Sequence, residues 1–212
     1  MLRNTRRHLK IIKRESSENK VAMTGIVLTG GKSSRMGRNK AFLEFEGQPL
    51  IERSLQVLHS VFSEVIISTN TPELYCSYEE KTVQDIYVDQ GPLGGLHACL
   101  KAAQYDYSFF VACDMPFLNV EVIRYLAQLV GRESVLVPEV DGGLHPLHAF
   151  YHKNCLPIIE KKLEAKRLKL VDLFEDCSVR YVREDELKKF PAIEQVFRNI
   201  NTPQEWTELL HS

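Results

Sequence analysis

The chain has 212 residues, of which 44% are hydrophobic and 26% are charged, and its formal net charge is −1. This composition is typical of a globular domain, and a charge this close to zero excludes a dedicated nucleic-acid-binding protein. The sequence contains no run of about 18 apolar residues, so we expect no membrane-spanning helix and no membrane partner.

The N-terminal segment, residues 1–22, is basic and lacks the apolar core of a secretory signal. Up to Lys20 it holds seven Lys or Arg residues and two Glu residues, a net charge of +5. We expect this segment to be a leader that is disordered or lies ahead of a start at Met23, and residues 23–212 to form a single domain. The alternative is a basic arm that contacts a partner or a membrane surface.

The five cysteines are odd in number and show no Cys-x-x-Cys spacing. We therefore expect small buried residues in a reducing cytoplasm, without disulfides or a structural zinc site.

Short apolar segments alternate along the chain with segments of helical periodicity. Helices are predicted at 49–62, 96–103, 119–131 and 154–165, with a last helix opening at the capping box of Thr202. The stretch Gly91-Pro92-Leu93-Gly94-Gly95 is predicted as the turn that leads into the second helix. Pro49 is suited to the first helical position and Asn119 to an N-cap. Strands are predicted at residues 26–28, 65–67, 85–88, 109–112, 135–137 and 147–151. This alternation predicts an α/β fold with a mainly parallel sheet and right-handed crossovers.

Three polar features directly follow predicted strands: the Gly30-Gly31 loop, Asp89 and Asp114. Because ligands of parallel sheets bind beyond the carboxyl ends of the strands, we expect these features to line one site. The alternatives are structural, with Asp89 a turn residue before Gly91 and Asp114 a cap or turn residue near Pro116.

The loop after the first strand is rich in glycine, hydroxyl and basic residues, from Gly30-Gly31 through Arg35 to Lys40. Glycines let the backbone approach a phosphate chain closely, and basic side chains offset its charge. A Walker A motif is excluded because Ile26 stands where its first glycine belongs, and the Gly-x-Gly-x-x-Gly fingerprint also fails. The loop therefore predicts a nucleoside triphosphate site, with Asp114 suited to Mg²⁺. A plain structural turn is the alternative.

The stretch Leu28-Thr29-Gly30-Gly31-Lys32-Ser33-Ser34-Arg35-Met36-Gly37, followed by Lys40, resembles the signature of the molybdenum cofactor guanylyltransferase (MobA) family. The resemblance covers about residues 24–210 and includes Gly91-Pro92-Leu93-Gly94-Gly95, Cys113-Asp114-Met115-Pro116-Phe117 and Asn199-Ile200-Asn201-Thr202-Pro203. Many nucleotidyltransferases share the first motif, whereas the glycine-rich second and the last motif together favour the molybdopterin branch. The resemblance implies a three-layer α/β/α Rossmann-like nucleotidyltransferase fold with a mainly parallel sheet.

The resemblance also implies an activity, the Mg²⁺-dependent transfer of GMP from GTP to molybdopterin or Mo-molybdopterin with release of pyrophosphate. Molybdoenzyme apoproteins or their chaperones are further candidate partners, and nucleic acid is not. Arg35, Lys40 and Asp114 are the implied catalytic residues. In this interpretation Lys40 binds the nucleotide phosphates and Asp114 holds the metal.

The remaining site residues follow from the same positions. Leu28, Thr29 and Gly30-Gly31 would contact the nucleotide, and Asp89 would lie in its pocket. Asn201, with Asn199 beside it, would complete the metal site or touch the pterin phosphate, unless Asn201 is only a turn residue before Thr202.

Two positions depart from the family pattern. Thr29 stands where alanine is usual, and Ser68 stands where some members carry a base-contacting asparagine, so base selectivity stays open. The alternatives are a cytidylyltransferase for the same pterin, a sugar-phosphate or polyol-phosphate nucleotidyltransferase, and a non-catalytic nucleotide-binding protein that delivers cofactor. His145 and His148 flank Pro146, and we expect them to line a pocket or be structural rather than bind metal.

Overall fold

The structure, a computed structural model, describes residues 20–29, 39–200 and 202–211. Its helices are α1 (Leu50–Val61), α2 (Gly91–Ala102), α3 (Val120–Leu129), α4 (Leu156–Glu164), α5 (Glu184–Leu187), α6 (Ile193–Val196) and α7 (Pro203–His211). Its strands are β1 (Val21–Leu28), β2 (Glu44–Phe45), β3 (Gln48–Pro49), β4 (Phe62–Ser68), β5 (Lys81–Val83), β6 (Tyr107–Ala112), β7 (Val135–Val140), β8 (Gly143–Leu144), β9 (His148–His152) and β10 (Val179–Arg183).

The main sheet has the strand order β10-β7-β9-β6-β1-β4-β5, with the short β8 paired to β7. Strand β1 is parallel to β4 and β6, β4 is parallel to β5, and β10 is parallel to β7. Strand β9 runs antiparallel between β6 and β7. The expected α/β fold with a mainly parallel sheet is therefore confirmed.

Strand β1 is where the chain changes direction across the sheet. The chain passes from β1 to β4 and β5 on one side and then crosses to β6 on the other side. In register, Leu28 lies opposite Ser68 of β4 and Ala112 of β6, so the three strands end level with one another. A crevice at such a switch point is the usual ligand site of open α/β sheets.

Helices cover both faces of the sheet. Side chains of β1 alternate, so that Val27 packs in one core with Ile51 and Ile123 from α1 and α3. Ile26 packs in the other core, which includes Leu96 of α2 and Ile159 of α4. This arrangement is the three-layer α/β/α architecture that the family resemblance implied.

Several predicted elements are confirmed with shifted ends. The stretch Gly91-Pro92-Leu93-Gly94-Gly95, predicted as a turn, instead forms the start of helix α2. Asn119 is the N-cap of α3, where its Oδ1 accepts hydrogen bonds from the backbone N–H groups of Glu121 and Val122. Pro49 is the residue before α1 and not its first helical residue. Strand β1 begins at Val21 and so includes two residues of the segment 1–22; the rest of the leader expectation, on residues 1–19, lies outside the described residues.

One predicted strand is wrong. Residues 85–88 do not form a strand, and the strand of this region is β5 at Lys81–Val83. Ile86 and Val88 suggested a strand, but in the structure they are exposed in the loop that leads to α2. The five cysteines carry free thiols; Cys99, Cys113 and Cys155 are buried as expected, whereas Cys76 is exposed. Within the described ranges, no helix combines the length and the apolar character needed to cross a membrane.

Candidate active site

Lys40 and Asp114 form the polar centre of the crevice beside β1. Lys40 begins a 3-10 turn that Asn39 caps by accepting a hydrogen bond from the backbone N–H of Ala41. Asp114 follows β6 by two residues. The Nζ of Lys40 lies 3.0 Å from Oδ2 of Asp114, and the two side chains are only 17% and 18% exposed. Two segments that are 74 residues apart in sequence therefore meet in one ion pair.

The C-terminal segment joins this pair through its main chain. Lys40 Nζ also donates a hydrogen bond to the carbonyl oxygen of Ile200 at 2.9 Å. The backbone N–H of Ile200 donates to the carbonyl of Asp114 at 2.9 Å. The neighbouring Asn199 has a buried Oδ1 that has no hydrogen-bond partner within the described residues. The site therefore brings a cation, a carboxylate and an unpartnered amide oxygen into the same region.

The strand ends that carry the site are tied together by Leu28 and Thr29. The Leu28 carbonyl accepts a hydrogen bond from the backbone N–H of Cys113 at 3.1 Å. The carbonyl of Ser68 accepts hydrogen bonds from Thr29 twice, from the backbone N–H at 3.0 Å and from the hydroxyl at 2.8 Å. Threonine at this position therefore adds a bond between β1 and β4 that alanine could not make.

The thiol of Cys113 lies beside the ion pair but is unsuited to be a nucleophile. Burial, together with the negative charge of Asp114, raises the pKa of Cys113 to about 12. A thiol is reactive as its thiolate, which such an environment suppresses. The arrangement favours charge neutralisation by Lys40 and Asp114 over covalent catalysis.

A second polar group lies on the other side of β1, between β4 and α2. The side chains of Asn70 and Asp85 are joined by a hydrogen bond from Nδ2 to Oδ2 of 2.9 Å, and the backbone N–H of Asp85 donates to Asn70 Oδ1 at 2.9 Å. Burial raises the pKa of Asp85 above its ordinary value, although the bond from Asn70 opposes this. The pair presents carboxylate and amide oxygens close to the strand ends.

Gly95 of α2 allows these groups to approach the helix. A Cβ added at this glycine would lie 2.8 Å from Cδ2 of Leu28, 3.0 Å from Oγ of Ser68 and 3.5 Å from Oδ1 of Asp85. The Gly-Pro-Leu-Gly-Gly motif therefore places the bare backbone of α2 against the ends of β1 and β4, with Asp85 beside it.

Residues 25–180 match the family described as the MobA-like NTP transferase domain. The match spans the strand ends of β1, β4 and β6 and includes both Lys40 and Asp114. The chain belongs to this family. The resemblance that the sequence motifs carried is thereby confirmed, and so is the prediction of a nucleotidyltransferase.

Relatives of this chain support the same family assignment. A protein of Clostridium perfringens strain 13, named a probable molybdenum cofactor guanylyltransferase, is 40% identical over 198 residues, which is 90% of this chain and 97% of the relative. The crystal structure of molybdopterin-guanine dinucleotide biosynthesis protein A from Archaeoglobus fulgidus superposes with a TM-score of 0.78 at 26% identity, covering 89% of this chain and 97% of that one. The Rv0371c protein of Mycobacterium tuberculosis, solved in complex with manganese, shares the fold at a TM-score of 0.63 and 14% identity, over 91% of this chain and all of the other.

The structure of the MobA-like domain brings together several of the residues that the sequence singled out. Leu28 and Thr29 lie at the strand ends, Lys40 and Asp114 pair beside them, and Asn199 precedes Ile200, which contacts that pair. Four further predicted site residues lie outside the described residues: Gly30, Gly31, Arg35 and Asn201. The roles assigned to all of these residues stay predictions.

Asp89 is not placed as expected. The predicted strand that ends at Asp89 is absent, and Asp89 is exposed in the turn before α2 with a left-handed φ of 58°. Asp85, two residues beyond the true strand β5, is the acidic residue that lies against Gly95 and Ser68. Sequence reasoning missed Asp85 and Asn70 because it placed the strand four residues too late. The pattern Thr82-Val83 followed by a polar pair was the available signal.

His145 and His148 both pack against the ring of Phe197, at 4.5 Å and 4.7 Å between centroids. His148 is fully buried, with its ring edge-on to Phe109 at 5.0 Å and to Phe197 at 4.7 Å between centroids. Burial lowers the pKa of His148 to about 3, so the ring is neutral. In the part of the chain that the structure describes, no group of three or more His, Cys, Asp or Glu side chains is arranged to hold a metal ion. Among the described residues, few side chains would therefore be available to hold a metal ion at the Lys40–Asp114 site.

Replacing Gly95 with alanine is expected to destabilise the MobA-like domain. Helix propensity alone favours alanine by about 1 kcal/mol, but the added methyl would clash with Leu28 and Ser68, and overpacking of this kind costs about 1–3 kcal/mol. Because the propensity gain offsets part of this cost, we expect the free energy of unfolding, measured in urea, to fall by up to about 2 kcal/mol. Gly143→Ala is the control, since its methyl would meet its nearest neighbour only at 3.7 Å. Equal stability of the two variants would contradict the expected clash.

Proposed function

We propose that this protein transfers GMP from GTP to the terminal phosphate of molybdopterin. An oxygen of that phosphate attacks the α-phosphorus of GTP, the bond to the bridging oxygen breaks, and pyrophosphate leaves with the electron pair. The observation that carries the proposal is the Lys40–Asp114 pair at the switch point beside β1. Relatives named for this activity, 40% identical over nearly the whole chain, support it.

The residues of the site fit a magnesium ion. Mg²⁺ is usually held by one or two carboxylates together with substrate phosphates and waters, and the carboxylate of Asp114 meets that requirement. The buried, unpartnered Oδ1 of Asn199 is a second hard oxygen donor in the same region. When bound, the metal would supply electrophilic stabilisation of the phosphate oxygens. Asp114 is the residue that we propose to hold it.

Lys40 would bind the nucleotide phosphates rather than the metal ion. Its ammonium group is shared between Asp114 and the Ile200 carbonyl, so it is already held in the crevice, mostly shielded from solvent. Phosphate oxygens of a nucleotide would compete for the same three N–H donors. We infer that Lys40 neutralises the charge that develops on the departing pyrophosphate, where a fixed cation in a shielded site is most effective. No protein nucleophile is required, because a phosphate monoester is anionic at neutral pH.

We propose that the Asn70–Asp85 pair beside α2 selects the guanine base. Ser68, which stands where some family members carry a base-contacting asparagine, is buried, and its carbonyl is occupied by Thr29. Asn70 and Asp85 are the polar side chains available next to it. A carboxylate only accepts hydrogen bonds, and the Watson–Crick edge of guanine offers two adjacent N–H donors, whereas cytosine offers one. This chemistry favours GTP over CTP.

Replacing Asp85 with asparagine is expected to weaken GTP binding about 10- to 100-fold, because a hydrogen bond to a charged group contributes about 1.5–3 kcal/mol. CTP binding should change much less. Because the pKa of Asp85 is raised, protonation removes the acceptor at a higher pH than for an ordinary aspartate. GTP affinity of the natural protein should therefore fall on mild acidification, and the variant should lack that response. Calorimetric titrations with both nucleotides across pH would measure this, and an unchanged GTP affinity in the variant would remove Asp85 from base selection.

The proposed function is tested by a pyrophosphate-release assay with Mg²⁺, GTP and molybdopterin. Release that needs all three supports it. Faster release with CTP would make the protein a cytidylyltransferase, and release with a sugar or polyol phosphate in place of the pterin would change the acceptor. Nucleotide binding with no release under any combination would indicate a delivery protein. We place the reaction in the cytoplasm, a location that the free thiols support.

A further inference from the structure

The C-terminal segment is held at the site by more than the hydrogen bonds of Ile200. Phe45, Leu50 and Ile200 are buried together, and three partly buried side chains pack against them. We call this set the aromatic clamp; its members are Leu43, Phe45, Leu50, Phe117, Ile200 and Trp206. Phe45 is central to it, with its ring edge-on to Phe117 at 5.7 Å and to Trp206 at 6.4 Å between centroids.

The aromatic clamp joins the same three segments as the ion pair. Leu43 lies three residues after Lys40, and Phe117 lies three residues after Asp114. Ile200 belongs to both sets, since its side chain is in the clamp and its carbonyl accepts the hydrogen bond from Lys40. The clamp therefore forms an apolar support directly beneath the polar contacts of the site.

Trp206 is fixed relative to Ile200 by the start of α7. The backbone N–H of Thr202 donates to Oε2 of Glu205 at 3.0 Å, and the backbone N–H of Glu205 donates to the Thr202 hydroxyl at 3.1 Å. The N–H of Trp206 donates to the carbonyl of Thr202 at 3.1 Å. This capping box fixes Trp206 relative to Thr202 at the start of α7.

We propose that Trp206 is a positioning residue for Lys40. By packing on Phe45 it fixes the Ile200 carbonyl, and that carbonyl holds the ammonium group of Lys40 beside Asp114. The inference rests on the proposed function, because Lys40 is assigned there to the nucleotide phosphates. It goes further in giving a residue that does not touch the reacting atoms control over where the cation stands.

A second consequence concerns the response to nucleotide. Phosphate oxygens that bind Lys40 while the Ile200 carbonyl still holds it change the geometry of that hydrogen bond, so the packing of the clamp and of Trp206 changes with it. Trp206 is the only tryptophan in the sequence, so its fluorescence reports on this position alone. Its ring is half-buried and also borders a cleft of about 580 Å³ lined by Asn39, Phe42, Leu43 and Glu44. Emission from such a ring is sensitive to small changes in packing and solvent contact.

The first test compares Trp206→Ala and Trp206→Phe in the full-length protein, with Tyr181→Ala as the matched control. Tyr181 is a partly exposed aromatic residue on the edge strand β10. Because misplacement of a catalytic group by about 1 Å costs about 100-fold, we expect Trp206→Ala to lower kcat about 10- to 100-fold. KM for the nucleotide should change much less, and Trp206→Phe should recover most of the loss. Equal kcat for Trp206→Ala and the natural protein would overturn the proposal.

The second test needs no turnover. Titration of the natural protein with GTP and Mg²⁺ should shift or quench the Trp206 emission, and the same titration of Lys40→Ala should not, at concentrations where calorimetry shows binding. An emission that saturating GTP leaves unchanged would overturn the proposal. If pyrophosphate is never released but the emission responds through Lys40, the proposed function fails and the role of Trp206 stands. If pyrophosphate release is normal but neither kcat nor the emission changes as expected, the proposed function stands and the role of Trp206 fails.

Discussion

Asp114→Asn is expected to lower kcat for pyrophosphate release by about 10³-fold. Asparagine keeps the shape of the side chain and one oxygen, but it removes the negative charge that faces Lys40 at 3.0 Å. The variant also loses the carboxylate that we propose to hold Mg²⁺, so its activity should require a higher metal concentration. Pyrophosphate release measured against Mg²⁺ concentration checks both expectations.

The matched control for this change is Asp176→Asn. Asp176 pairs with Lys162 at 2.5 Å, and it is 53% exposed near the C-terminal end of α4. The same chemical change there should leave turnover intact, since Asp176 is not among the residues of the proposed site and the buried Lys162 keeps Glu175 as a second partner at 3.7 Å. Turnover of Asp114→Asn close to that of the control would refute the assignment of the metal ligand.

Lys40→Ala is expected to lower kcat/KM for GTP about 10²- to 10³-fold, the usual loss when one group that stabilises developing charge is removed. The truncation also leaves the Asp114 carboxylate and the Ile200 carbonyl without their shared donor. An unsatisfied buried polar group costs about 1–3 kcal/mol, so we expect some loss of stability but a folded protein. Steady-state kinetics and a thermal melt separate the two effects.

Lys188→Ala provides the comparison for Lys40. Lys188 pairs with Asp185 on the surface, and its side chain is 64% exposed. It should match the natural protein in both turnover and melting temperature. Lys40→Ala with full activity would show that the cation of the crevice is structural only.

The core strands were predictable because parallel strands covered on both faces are apolar throughout. Phe109 and Phe110 are both fully buried, one in each core, so a continuous apolar run reveals their strand. Edge strands carry no such signature. Strand β5 begins with an exposed lysine, and β10 has arginines at Arg180 and Arg183. Strand β5 was therefore predicted at the wrong residues, and strand β10 was not predicted.

The candidate site likewise has residues that the sequence predicted and contributions that it did not. Lys40 and Asp114 are side chains in two recognisable motifs, and the structure joins them in an ion pair. The contribution of Ile200 is a backbone carbonyl and an N–H, which no side-chain pattern reveals. Asn70 and Asp85 escaped notice because their importance depends on the register of one short edge strand.

The hydrogen bond from Lys40 to Ile200 has a consequence for the order of events during synthesis. It joins residues that are 160 positions apart. The strands that frame the crevice come from residues 21–112 and become available to a growing chain early, since domains form as the N-terminal part emerges first. The lysine acquires its carbonyl partner only after the ribosome has made residue 200. A nascent chain that ends before residue 200 therefore lacks the carbonyl that holds Lys40 beside Asp114.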